Sequence, residues 1–433
     1  MIWGILLYLI LFTAITLYRF HYGIFLFFLL LPTYLIRFNI GLLPTTLLET
    51  MIWIILIIWI FKYNKKILPN LKSYILSHKN LFIASTLFML AATISIFTAV
   101  DLKSAAGEWK AFYIEPFLIF IVLITTLKNS KNKILKYIVT PLILCGLATS
   151  ILAIYQHFTG WMVPWDFWEN RNTFRITGWY GYPNAVGLFL APLVPLAIYG
   201  LIEKIKKIRA KNKDCLMPYI LFLITAPFAI FFAKSTGGLI GVVAGLGILL
   251  LFYKKTRWPT VVIGILAIIS IFSLPNLSNL REELTMQDRS GQIRIAMWGE
   301  ASALLTERPI FGAGLRSYGE RIVPYHTTVN GEGIEIFHLP HNLFLAIWVN
   351  TGLLGLFSFL WMIIIMVRMF LFSLYKKRSS GLSYFIISTI VVILTMGLVD
   401  TPYIKNDLSI FFWTIIALFL IQSHDPKLEN AKN

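Results

Sequence analysis

The sequence predicts an all-α fold: a polytopic transmembrane helix bundle of 12–13 spans with one large connection outside the membrane. Three observations carry that class. Apolar stretches close to the length needed to cross about 30 Å of hydrocarbon recur along the chain. Charged residues make up only 13% of the 433, against about 25% in soluble domains. Lys and Arg gather in alternating connections. A water-soluble fold with 58% hydrophobic residues would expose large apolar patches, so an ordinary soluble enzyme and a disordered chain are both excluded. Cys145 and Cys215 are too few for a disulfide framework or a zinc site.

Taken in order, the apolar runs fall near 2–18, 22–36, 45–61, 81–100, 109–127, 138–156, 185–203, 216–233, 238–252, 259–274, 343–372, 382–399 and 407–422. The second and ninth are short, hence the alternative of twelve spans. The first run lacks a basic leader and a small-residue cleavage site, so it reads as a retained span. No internal boundary, repeat or low-complexity stretch divides residues 1–433, which read as a single membrane domain containing the 275–341 connection.

Charge orients the bundle. Lys62, Lys65, Lys66, Lys72 and Lys79 form one cluster, and Lys128, Lys131, Lys133 and Lys136 a second. Lys204, Lys206, Lys207, Arg209, Lys211 and Lys213 form a third, Lys254, Lys255 and Arg257 a fourth, and Lys376, Lys377 and Arg378 a fifth. Together they hold 21 of the 38 basic residues. By the positive-inside rule these connections are cytoplasmic. The net charge of +18 is then mainly a topology signal, not a nucleic-acid footprint. The C-terminus falls inside, and the connections 157–184 and 275–341 face outward.

Those two outward connections contain eight of the chain's 14 Arg and no Lys. Arginine offers a planar, permanently charged fork suited to phosphate or carboxylate, whereas lysine is a mobile point charge. Arg281, Arg289, Arg316 and Arg321 lie among eight acidic residues of the 275–341 connection and are expected to pair with them. For Arg175 the nearest acidic neighbours in sequence, Asp166 and Glu169, are six or more residues away. Arg171 shares its connection.

Three stretches carry candidate chemistry. The first, 175–184, has Gly178, Gly181 and Pro183 as turn formers. Its surroundings are crowded by Trp161, Trp165, Trp168, Trp179, Tyr180 and Tyr182. These fit an interfacial aromatic belt or a cap that holds Arg175 over a cavity. The second, 288–298, starts a helix with Ser290 as N-cap. Ile293, Met297, Ala301, Leu304 and Leu305 give it one apolar face, Pro309 ends it, and it is too polar to span, so it lies along the surface. Arg294 sits in its first turn. The Phe311–Gly314 turn that follows can offer backbone N–H groups to an anion, or serve as a plain turn. The third is His341-Asn342, where Asn342 caps the next span. His341 at the positive end of that helix is favoured as neutral imidazole. It then serves either as a proton acceptor or as an interfacial hydrogen-bonding residue.

At these stretches the sequence resembles the O-antigen ligase and O-antigen polymerase family of bacterial membrane glycosyltransferases. The resemblance rests on Arg175-x-x-Gly178 with Pro183-Asn184, on Arg294-x-x-x-Trp298 followed by Pro309 and Gly312-Ala-Gly314, and on His341-Asn342 followed by Gly352 and Gly355. It covers most of the chain and is strongest over 150–375. It implies a transferase that takes a glycan from an undecaprenyl diphosphate carrier and passes it to an acceptor hydroxyl on the outer face of the inner membrane. Lipid A-core, another glycan or a protein would supply that hydroxyl. The family needs no nucleotide sugar, metal or other cofactor. Carried onto this chain, Arg175 and Arg294 hold the diphosphate and His341 activates the acceptor, with Asn184, Trp298, Gly312, Gly314 and Asn342 in support. Where many members have Ser-Arg-Gly at the end of a middle span, this chain has Ser235-Thr236-Gly237-Gly238, with Lys234 the nearest positive charge.

Two rivals stand beside this reading. A peptidoglycan polymerase would use an outer carboxylate, for which Asp288 is the local candidate. A transporter or flippase would need ionisable residues within spans. Glu115 is the main one, with Asp101, Glu108 and Asp400 near the outer ends. Neither explains a long connection rich in Arg and devoid of Lys. Within the family, ligase and polymerase differ in acceptor. The orientation predicts that a cysteine placed at Asn330 in a Cys-free background reacts with an impermeant maleimide in spheroplasts, while one in the 204–213 loop does not. Labelling at 330 only after the inner membrane is permeabilised would reverse the topology.

Overall fold

The computed structural model describes residues 2–41, 43–127, 130–169, 174–209, 215–378 and 380–423. Lys128, Arg171, Lys211, Lys213 and the segment after 423, on which the expected cytoplasmic C-terminus rests, lie outside the described residues.

The chain is an all-α polytopic bundle, and a helix begins or continues at every expected apolar run. Among the described residues, seven helices are long and apolar enough to cross a membrane: Leu47–Ser77, Lys79–Phe97, Leu102–Thr126, Lys131–Thr159, Pro183–Arg209, Leu343–Tyr375 and Asn406–Ser423. Arg257–Ser273 adds an eighth if counted with the helices that follow it across a 96° bend. Five shorter apolar helices, Trp3–Tyr18, Phe20–Leu29, Met217–Phe232, Thr236–Leu251 and Gly381–Met396, occupy the remaining runs.

Local chemistry sets the boundaries. Thr46, Asp101, Asn342 and Ser380 cap helix starts with their side-chain oxygens, satisfying N–H groups that a helix leaves unpaired. Gly160 ends Thr140–Thr159 in the left-handed conformation, φ 75°, as a glycine C-cap does.

Three expectations are corrected. The run at 22–36 is not one helix: Phe20–Leu29 stops and Pro32 lies in a 3-10 turn, Leu31–Leu35, because proline has no N–H to continue the ladder. A short hairpin follows, Arg37–Ile40 pairing antiparallel with Leu43–Thr46. The Lys62–Lys72 cluster is not a loop but the polar half of Leu47–Ser77. The 289–307 helix is capped by Asp288, whose carboxylate accepts from the Ser290 and Gly291 N–H groups. Ser290 is inside the helix.

Packing pairs Leu343–Tyr375 with Lys79–Phe97, Thr236–Leu251 with Gly381–Met396, and Asn406–Ser423 with Glu115–Thr126. The 275–341 connection has a small core of its own, where Ala301, Leu304, Leu305, Ala313, Tyr318 and Ile322 pack on Val349. It docks through a break in the long helix. Gly352 has φ 68° and ψ −174°, a region essentially restricted to glycine. The freed Leu353 N–H donates across to the connection, to the Ile310 carbonyl at 3.0 Å. A Cβ on Gly352 would lie 2.1 Å from that same oxygen. Gly352→Ala should therefore lower stability by about 2 kcal/mol or more, read as a lower thermal midpoint in detergent. Gly247→Ala, in a helix with open space around it, should be neutral or slightly stabilising. Equal midpoints for the two variants would contradict this account.

Candidate functional site

The candidate residues are brought to one end of the bundle by four separate segments. Arg175 lies in the turn-rich approach to Pro183–Leu190. That approach is held from beneath by Gln156, fully buried at the end of Thr140–Thr159. Its amide donates to the Met162 and Gly178 carbonyls and accepts from the Thr177 and Gly178 N–H groups. The arginine fork is seated on its inner edge. Nε donates to the Ala233 carbonyl at 3.0 Å, and Nη2 donates to Asn184 Oδ1 at 2.9 Å and to the Lys234 carbonyl at 3.0 Å. Trp168 flanks it, its ring centre 5.7 Å from the guanidinium carbon.

Asn184 passes the connection on. Its Nδ2 donates to Asp400 Oδ2 at 2.9 Å, and the other carboxylate oxygen, Oδ1, faces His341 Nδ1 at 3.2 Å and accepts from the Thr401 N–H at 2.9 Å. Arg294 reaches the same segment from the 289–307 helix: Nε donates to the Val399 carbonyl at 3.0 Å and Nη1 to Ser290 Oγ at 2.9 Å. Asn342 closes it, with Nδ2 donating to the Leu398 carbonyl at 3.0 Å while Oδ1 caps the helix. His341 itself has φ 43°, uncommon for a non-glycine residue, and its ring stands edge-on to Phe337 at 5.0 Å.

Between these groups is a cavity of about 210 Å³. Arg175, Lys234 and Arg294 supply positive charge; Glu283, Asp288 and Asp400 supply negative; Leu188, Ile240, Met286, Met396 and Val399 give an apolar wall. Thr236 donates to Glu283 across the rim at 2.6 Å. His341 does not line this cavity. It stands behind Asp400, with its side chain 29% exposed. The structure thus joins Arg175, Asn184, Arg294, His341 and Asn342. It does not bring Trp298, Gly312 or Gly314 to the cavity. The Ala313 and Gly314 N–H groups donate to the Val349 carbonyl and that of Gly312 to Arg308, so the three N–H groups of the Gly-Ala-Gly run are already taken and the run serves as a docking turn. Of the four arginines expected to pair with acids, Arg289 does so with Glu332, whereas Arg281 and Arg321 donate to the Phe272 and Thr98 carbonyls. No ion pair joins Arg316 to an acid of its connection among the described residues.

Electrostatics are set by burial and by this linkage. Burial alone would raise the Asp400 carboxyl. The hydrogen bond from His341, its charge, the Thr401 N–H and Arg294 outweigh burial and hold it below its ordinary value. A carboxylate depressed in this way contributes stability above its unfolded value of about 4, and that contribution is lost only as pH falls through the lower folded value. The tie is therefore intact throughout the neutral range. Arg175 is lowered from its ordinary value by burial and then by Arg294, partly offset by Asp400 and Glu283, which places two guanidinium groups close enough to repel. An arriving anion would relieve that repulsion.

Asp400 is the residue the sequence does not single out as part of this site. Its signal was available: an acid directly after a 16-residue apolar helix. Its partners, 216 and 59 residues away, were not.

The chain is thus a polytopic helix bundle with a charged pocket, lined by three basic and three acidic side chains, beside a carboxylate-bound imidazole. Comparison with known proteins is specific. Residues 220–360 match the family described as O-Antigen ligase. The O-antigen ligase of Salmonella typhimurium is 26% identical over 306 residues, 65% of this chain and 68% of that protein. An uncharacterized protein of Haemophilus influenzae is 24% identical over 278 residues, 59% of this chain and 64%, just under two thirds, of that protein. These similarities support a relationship to the O-antigen ligase family and, with it, a membrane glycan-transferring ligase. The matched family segment contains Arg294 and His341, while Arg175, Asn184 and Asp400 lie outside it.

Replacing Asp400 by Asn keeps the size and the contact to Asn184 but presents an amide to His341. Transfer should drop about 10²–10⁴-fold, the usual reach of an oriented base, in a purified transfer assay. Turnover within about threefold of wild type would remove Asp400 from the site.

Proposed function

We propose that this enzyme transfers a glycan from a polyprenyl diphosphate carrier, undecaprenyl diphosphate in bacteria, to an acceptor hydroxyl at the outer face of the inner membrane. One observation carries the reading: a cavity with an apolar wall and two arginine forks is linked through Asn184 and Asp400 to a histidine whose other ring nitrogen has no hydrogen-bond partner among the described residues.

The diphosphate would occupy the cavity against the outward-facing N–H groups of Arg175 and Arg294, with Lys234 at the rim. Both forks use Nε and one terminal nitrogen on protein acceptors, so each keeps N–H donors for phosphate oxygens in a bidentate contact. With Asp400 ionised, the His341 proton sits on Nδ1 and Nε2 keeps its lone pair. The acceptor oxygen attacks the anomeric carbon of the first sugar, and Nε2 takes the hydroxyl proton. The bond from that carbon to the diphosphate oxygen breaks, and the leaving diphosphate keeps the electron pair. The fixed guanidinium groups stabilise the charge that develops on it, so the reaction is proposed to run without a metal or other cofactor. The apolar wall of Leu188, Ile240, Met396 and Val399 is proposed to lead the prenyl chain into the bundle. The acceptor is proposed to be lipid A-core, for a ligase, or a further carrier-linked glycan, for a polymerase. The glycan phenotype of a deletion strain separates them: loss of all surface attachment indicates ligase, and single attached repeats indicate polymerase.

Arg175→Lys and Arg294→Lys should each retain less than about a tenth of the activity, because an ammonium cannot replace the fork. Arg289→Lys, whose partner is Glu332, should remain close to wild type. Normal turnover of carrier-linked glycan by Arg294→Lys at normal expression would remove the diphosphate assignment.

His341→Gln retains a hydrogen-bonding head but no base. It should bind donor normally and transfer about 10²–10⁴-fold more slowly. Rates within about threefold of wild type in His341→Gln would leave the mechanism to positioning by the arginines.

A further inference from the structure

The two segments that carry the site's hydrogen-bonded chain, 175–184 and 397–405, meet twice. The first meeting is Asn184 with Asp400. The second is deeper. The Lys405 ammonium lies 3.6 Å from the centre of the Tyr180 ring and 5.5 Å from that of Tyr34. Asp407 Oδ1 is its nearest anion, at 3.8 Å. Asp407 and Tyr180 are fully buried, at 0% and 1% exposure. Lys405 Nζ, Asp407 Oδ2 and the Tyr180 and Tyr34 hydroxyls all lack a hydrogen-bond partner among the described residues.

Such an arrangement is costly. A buried ammonium normally takes full hydrogen bonds or gives up its proton. Here it has a ring face and one long ion-pair contact. An apolar residue of similar length would fill the space at lower cost. Lys405 is five residues from Asp400, and the two act on one another electrostatically. Nothing in the diphosphate cavity uses it.

We propose that Lys405 is a positioning residue of the transfer site: clamped over Tyr180 and paired with Asp407, its charge fixes the 400–405 segment against the 175–182 segment and keeps Asp400 seated between Asn184 and His341. The planar ring sets where the charge sits, by the attraction of a cation to an aromatic face. Lys405 itself does not line the cavity that Asp400 lines. Asp400 is then surrounded by cationic or ionisable groups from each element around it: His341 at the start of Leu343–Tyr375, Arg294 from Arg289–Glu307, Arg175 from the turn before Pro183, and Lys405 from its own segment.

The inference rests on His341 acting as the base. Its test is separate, because His341→Gln probes the base with Lys405 intact. The measurement is the pH profile of kcat and of donor KM for the purified full-length enzyme. Lys405→Met keeps the stem and removes the charge. It should lower kcat at least about tenfold with donor KM changed less than about threefold. Removing a cation near the His341–Asp400 pair makes protonation of the pair easier, so the acid limb should move toward higher pH by on the order of one unit. Lys405→Arg, which keeps charge and ring stacking, should restore most of the rate and the wild-type limb. A purely structural role would reduce the yield of folded enzyme and leave the profile of the folded fraction unchanged. If Lys405→Met does not accumulate in folded form, Tyr180→Leu carries the test, since it removes the ring and should shift the limb in the same direction, whereas Tyr180→Phe should not. A wild-type kcat and acid limb in Lys405→Met or Tyr180→Leu overturns the proposal. So does a loss in Lys405→Arg equal to that in Lys405→Met.

Discussion

The site depends on one buried carboxylate. Asp400 follows the end of an apolar helix, out of reach of bulk water, where an unpaired charge would be prohibitively costly. Its oxygens are satisfied from three directions: the Asn184 amide, the His341 ring and the Thr401 N–H. The three residues before it are anchored in the same way. Gly397 accepts from the Leu343 N–H, Leu398 from Asn342 and Val399 from Arg294. A segment of four residues thus gathers the start of one long helix, the amphipathic helix of the 275–341 connection and the turn before Pro183. Among the described residues, the hydrogen-bonded path from Arg175 to His341 runs through Asn184 and Asp400.

The same logic explains how two arginines can be stored in a small cavity before substrate arrives. Each guanidinium spends its inner edge on backbone carbonyls or neutral oxygens, which orient the fork without neutralising it. Their mutual repulsion is tolerated because Asp400 and Glu283 partly balance it. The bundle supplies rigidity for this arrangement. Gln156 holds the arginine turn, and the glycine break at 352 docks the 275–341 connection, so that Arg294 is placed by packing far from the cavity.

The sequence was informative where physics is local. Apolar runs marked where each helix lies, because crossing hydrocarbon demands length and composition together. Arg without Lys in two connections marked Arg175 and Arg294, and the Asn342 cap located His341 at a helix start. It was uninformative where partners are distant. A hydropathy reading stops at Lys62, yet helix propensity continues through a run of Lys, Leu and Ile to Ser77, since lysine disfavours hydrocarbon but not helix. Ser290 and Asp288 are both good caps, and only the three-dimensional entry angle of the chain selects Asp288. The Phe311–Gly314 turn has the glycines of an anion cradle, but the Ala313 and Gly314 N–H groups are taken by Val349 of the next long helix, which no spacing reveals. Asp400 stood out in sequence only as an ionisable residue near the outer end of a span, for the same reason.

The account's central claim is that Asp400 acts through His341, not beside it. A double-mutant cycle in single-turnover transfer tests this most directly, using Asp400→Asn, His341→Ala and the two combined. If the carboxylate serves only to orient the imidazole, the double variant should be as slow as His341→Ala alone, because an absent base cannot be misoriented. Losses that multiply in the double variant would contradict the claim and assign Asp400 an independent role at the reacting centre.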